Sequence, residues 1–159
     1  MDDSLFIGTS KEIQLAEVLE AASARLNRSG ISTLKGNLVA LKVENGKETP
    51  HEGGLLCTDS YVKLSLQGAA TYVSITKFAT EVVPGYSVIT DPFTIGIGVW
   101  HGADPQYRLL AAFVAWAIAV SVGGRIFDSE HKWVDKDSSD PSEFISTVGQ
   151  RVEPWLRRE

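Results

Sequence analysis

Apolar and polar positions alternate with two different periods along the chain, and the switches between them mark out the elements. Leu15, Leu19, Ala22 and Leu26 recur at helical spacing, with Glu12, Glu17 and Arg25 on other faces. This predicts a helix over Lys11–Asn27, capped by Ser10 and stopped near Gly30. From Asn37 to Glu44 the period is two, with Val39, Leu41 and Val43 on one face, and the run ends at Asn45-Gly46, a strong hairpin-turn signal. Glu48–Gly54 reads as loop. Tyr61–Gln67, Tyr72–Thr76, Tyr86–Thr90 and Thr94–Trp100 read as further strands, with turns at Pro84-Gly85 and Asp91-Pro92. Gly96 and Gly98 share one face of the last strand, so a bulky element, a helix by expectation, should pack closely there. Asp104-Pro105 then opens a second helix, apolar on nearly every side and ended by Gly123-Gly124 beyond Val122. Arg125–Asp128 is a short strand, and Asp140-Pro141-Ser142-Glu143 starts a third helix with capping-box spacing.

Strands followed by helices in this order predict an α+β fold, an antiparallel sheet packed on one face by helices that include a buried Ala-rich one. With 159 residues, 43% hydrophobic and 22% charged, the chain suits one domain over 1–159. Residues 61–124 hold only three acids and three bases, so the core is expected there. A net charge of −5 and a pI near 5.2 argue against a nucleic-acid partner held by phosphate contacts. The apolar run Leu109–Gly124 falls short of the ~20 residues that span a bilayer, which predicts a core helix and no membrane partner. The acidic start Met1-Asp2-Asp3-Ser4 is unlike a secretory signal, so a cytoplasmic location is expected.

Motifs that carry chemistry are sparse. His51, His101 and His131 are scattered and read as surface histidines, and Cys57, alone in an apolar LLCTD setting, reads as a small buried hydrophobe. Gly96-Ile97-Gly98 lies inside a strand and lacks the spacing of a phosphate loop. The expectation is no catalytic residue, no metal and no cofactor. Trp116 reads as core, and Trp155, beside Arg151, Arg157 and Arg158, as a plug holding the terminus down.

The segment Asp128–Asp140 carries five acids against Lys132 and Lys136. It lacks the register of a calcium loop, and the lysines interrupt any cation site. A solvated connection is its ordinary reading. Trp133, an aromatic in a polar loop, adds a second: a partner-binding surface of Glu130, Trp133, Asp135 and Asp137, unless Trp133 folds back onto the core. Asp128 at a strand end and Asp140 as a helix cap are assigned structural work.

The Ala-rich helix Leu109–Val122, the strand Gly124-Arg-Ile-Phe-Asp128-Ser-Glu and the polar segment ending in Trp133 resemble the C-terminal part of small bacterial immunity proteins of contact-dependent inhibition and polymorphic-toxin systems. The resemblance covers some 30 residues as a pattern of residue types. It implies a non-enzymatic protein that binds and neutralises a cognate protein toxin, with no catalytic residues to carry over. An acidic chain would be steered to a basic nuclease toxin. The alternatives are a small enzyme or ligand-binding domain with a pocket between the sheet and the 51–57 loop, and an adaptor that recognises another protein's tail. The sequence leaves the oligomeric state open.

Overall fold

A computed structural model describes residues 2–28, 38–58, 61–66, 71–80, 89–100, 102–103 and 105–156. The described strands are β1 (Asp2–Thr9), β2 (Leu38–Glu44), β3 (Lys47–Pro50), β4 (Tyr61–Leu66), β5 (Val73–Ala79), β6 (Phe93–Trp100), β7 (Ile126–Phe127) and β8 (Ser138–Ser139). The described helices are α1 (Leu15–Arg28), α2 (Pro105–Val122) and α3 (Pro141–Leu156). The strands form one eight-stranded antiparallel sheet in the order β3-β2-β4-β5-β6-β1-β7-β8, so the expected α+β class holds.

Local chemistry explains the best-placed elements. Asn45 and Gly46 both take left-handed backbone angles (φ 51° and 79°), as a two-residue turn between twisted strands requires. That turn returns the chain along β2 as β3, which the sequence suggested was loop because Lys47–Pro50 is polar and wholly exposed at the sheet edge. α2 begins at Pro105 and ends before Gly123, which takes φ 69°. The expected cap at Asp104 lies outside the described residues, as do the Gly30 stop, the Pro84-Gly85 turn and most of Tyr86–Thr90.

β1 was not expected. Its two leading acids mask a short alternation in which Leu5 and Ile7 face inward, and it lies centrally between β6 and β7. α1 therefore starts at Leu15 rather than Lys11. Its first amides, those of Leu15 and Ala16, donate to the carbonyls of Gly54 and Gly53 at 3.0 Å each, so backbone does the work assigned to Ser10.

The helices share one face of the sheet. α2 lies against β1, β5, β6 and β7, with α1 and α3 packed on it. Leu5, Ile7, Leu64, Ile75, Ile95 and Ile97 point toward the helices and are fully buried. Most of α2 from Tyr107 to Ala119 is buried, including Ala115 and Ala119, as a helix apolar all round should be. Two positions differ. Trp116 is half-buried with the Arg25 guanidinium 5.7 Å from its ring centre, and Val120 is exposed. By length and composition α2 would suit a membrane span, but 67% of it is buried inside the fold.

The face away from the helices differs from expectation too. Leu64 and Val62 face the helices opposite Ala40 and Lys42, so Val39, Leu41 and Val43 stand on the opposite face. Gly96 and Gly98 also look outward. A Cβ at Gly96 would lie 3.3 Å from both the Phe6 and Phe78 rings, which meet edge to face with centroids 6.4 Å apart. The glycine thus admits two aromatic rings from neighbouring strands, where a helix was expected.

Candidate partner-binding surface

The loop between β7 and α3 is organised by one carboxylate. Asp128, fully buried, accepts the Lys132 amide on Oδ1 at 3.0 Å and those of Trp133 and Val134 on Oδ2 at 2.7 and 2.9 Å. Three charge-assisted bonds to one side chain pull the backbone round it, with His131 at φ 55° making the bend. Trp133 is carried inward to 0% exposure. Its Nε1 donates to the Arg108 carbonyl at 2.9 Å, and the Arg108 guanidinium sits 4.8 Å from its ring centre. Arg108 also donates to Asp3 at 2.6 Å and to the Lys132 carbonyl at 3.1 Å, while Arg151 of α3 donates to the Trp133 carbonyl at 3.0 Å. Trp133 is therefore a structural rivet between α2, α3 and the loop. The reading of it as an exposed anchor is corrected, because a ring with no accessible area offers a partner nothing to grip.

The acids predicted beside it do reach the surface. Glu130, Asp135 and Asp137 are exposed. Asp135 pairs with Arg151 at 2.8 Å, and this hydrogen bond holds its carboxyl below the usual carboxylate range. Asp137 meets His131 Nε2 at 2.7 Å, and Lys136 pairs with Glu143. Asp140 caps α3 by accepting the Glu143 amide at 2.9 Å, the work the sequence assigned to it. The expected plug at Trp155, with Arg157 and Arg158, falls among side chains outside the described residues.

Away from this loop, Cys57 is exposed rather than buried, its thiol 3.7 Å from the Leu55 carbonyl. His51 accepts the Gly53 amide on Nδ1 at 2.9 Å, and partial burial, with Lys42 nearby, pushes its pKa down. The space between these residues and Val62, Ile75 and Lys77 measures about 10 Å³, room for a single water. Among the described residues no group of three His, Cys, Asp or Glu side chains could hold a metal ion.

The open face of the sheet carries what sequence reasoning missed. Phe6, Val39, Leu41, Tyr61, Phe78 and Phe127 are half-buried on it, and at one end Tyr72 and Trp100 are 39% and 58% exposed. Strand alternation could have found Trp100, since it shares the face of Gly96 and Gly98 and stands beyond their gap. Antiparallel sheets commonly leave one face to water, but such a face is ordinarily polar. Compared with family models, with curated proteins and with solved structures, the chain matches none of them.

Proposed function

We propose that this chain is a non-enzymatic binding protein that neutralises a cognate protein toxin by covering it, in the manner of the immunity proteins its C-terminal half resembles. The observation that carries this reading is the sheet face free of the described helices, where aliphatic and aromatic side chains stand partly exposed from β2 across to β7. Partly exposed aliphatic and aromatic side chains set among polar ones, as here, suit a protein–protein contact. The acidic balance of −5 and the exposed Glu130, Asp135 and Asp137 favour a basic partner, such as a nuclease domain, whose approach they would accelerate. The cytoplasm, where such a toxin acts, is the location this reading requires. The alternative, a small enzyme or ligand-binding domain with a pocket near the sheet and the 51–57 loop, draws less support, since the described space there is about 10 Å³.

The decisive experiment starts from the gene immediately upstream, which this reading requires to encode a large secreted protein with a variable C-terminal domain. Expressed alone, that domain should arrest growth. Expressed with this chain, growth should return and the two proteins should elute as a stoichiometric complex. A folded chain that neither restores growth nor binds would overturn the reading.

A further inference from the structure

At the exposed end of the open face, Asp2, Thr71, Tyr72, Gly98 and Trp100 line a cleft of about 180 Å³. Register explains its shape. Asp2 pairs with Trp100 across β1 and β6, and Tyr72 precedes Val73, whose partner is Val99, so the three side chains form one row over adjacent strands. One row inward, Gly98 stands between Ser4 and Ser74, and its missing side chain is the floor. A Cβ there would meet Ser74 Oγ at 2.9 Å and Asp2 Oδ2 at 3.6 Å, so the hollow exists because the residue is glycine. The walls are aromatic and the rim is anionic.

From this arrangement we propose that the cleft takes a cationic side chain, an arginine or lysine presented by a protein partner. Three observations lead there. Aromatic faces attract cations, and Tyr72 already holds one on this surface, since Lys63 Nζ stands 4.6 Å from its ring centre. Lys63 is itself tied to Glu48 at 2.6 Å and does not line the cleft. Asp2 is exposed and has no ion-pair partner among the described residues, so its charge is available to an incoming cation. The size decides between side chain and cofactor. Drug-sized ligands occupy roughly 300–1,000 Å³, whereas this cleft suits a guanidinium or ammonium head with part of its stem. Trp and Tyr that stay exposed in the free protein are also the residue types that dominate binding energy at interfaces.

The inference rests on the chain being a protein-binding module, yet it is testable without the partner. The probes are Nα-acetyl-arginine amide and Nα-acetyl-lysine amide, with the uncharged citrulline and leucine amides as controls, at matched ionic strength. The readout is the ¹H–¹⁵N spectrum, followed at the Gly98 amide and the Trp100 indole N–H. Saturable shifts confined to these signals are expected with the cationic amides and absent with both neutral ones. The arginine and lysine arms decide which head group is preferred. Trp100→Ala should weaken binding about 2- to 30-fold, the range of a cation–π contact. Asp2→Asn should weaken it about 2- to 5-fold, as loss of an exposed ion pair does, and this variant tests the cleft even where Trp100→Ala fails to fold. Gly98→Ala should fill the floor and abolish the shifts. No saturable response, an equal response to citrulline amide or to leucine amide, or binding unchanged in both Asp2→Asn and Trp100→Ala would overturn the proposal. Growth rescue without arginine or lysine binding strikes the cleft alone. Amide binding without rescue strikes the toxin reading alone.

Discussion

Two tryptophans divide the surface between them. Trp133 lies in a polar loop and is fully buried, whereas Trp100 closes an apolar strand and is 58% exposed. Sequence surroundings suggest the reverse. The difference is long-range: Trp133 is drawn inward by Asp128, five residues before it, and by Arg108 on α2, while Trp100 is turned outward by strand alternation alone. An aromatic in a polar loop thus reports a buried rivet as readily as a binding site, and its hydrogen-bond partners decide which.

The contrast can be broken experimentally, most forcefully at the rivet. Trp133→Ala should cost about 3–5 kcal/mol of stability, because the ring leaves a cavity and Arg108 loses its stacking partner. Denaturant unfolding measures this, and a loss under about 1 kcal/mol would mean that the loop packs loosely. Asp128→Ala should follow at about 2–4 kcal/mol, since it removes the acceptor of three amides, two of them buried with it. Asp128→Asn should recover part of that loss by keeping one oxygen. Trp100→Ala should leave stability within about 0.5 kcal/mol, as exposed substitutions do, yet cost more than about 2 kcal/mol in partner affinity through faster dissociation. Equal stability losses at the two tryptophans would erase the distinction.

The exposed acids of the loop between β7 and α3 should give the smallest effects. Reversing Glu130, Asp135 and Asp137 together should slow association, most visibly at low salt, with little change in dissociation. Asp135 carries a pH signature as well. Its folded carboxyl titrates below the ordinary 3.8 because of its hydrogen bond to Arg151. Any stabilisation from this pair is therefore present above that value and fades as the pH falls through the depressed folded one. An NMR titration of the Asp135 carboxyl with a midpoint at or above 3.8 would contradict the pairing.

Much of the fold was legible because it is written locally. Asn45-Gly46, Pro105, Gly123 and Asp140 each demand a backbone geometry or supply a cap that sequence distance does not alter. What escaped was non-local. β1 was hidden by two acids, one of which, Asp3, is buried against Arg108, a residue far along the chain. Alternation revealed that Val39, Leu41 and Val43 share a face but gave no sign that the helices cover the other one. Of the candidate surface, the exposure of Glu130, Asp135 and Asp137 was readable from composition. Tyr72 and Trp100 needed the register of β5 against β6 before they became neighbours.

β1 also sets a timetable. It is made well before the strands that flank it: Leu5 pairs with Ile97, and Ile7 with both Ile95 and Ile126, so its two edges are completed late. Until then a segment with two inward apolar residues has both edges unpaired and waits as the chain elongates at roughly 5–20 residues per second. A sheet whose centre depends on such distant pairings closes slowly, because loop entropy must be overcome before the contacts that offset it can form. The amides of β1 should therefore gain exchange protection among the last in refolding and, once locked between β6 and β7, lose it among the last in the native protein.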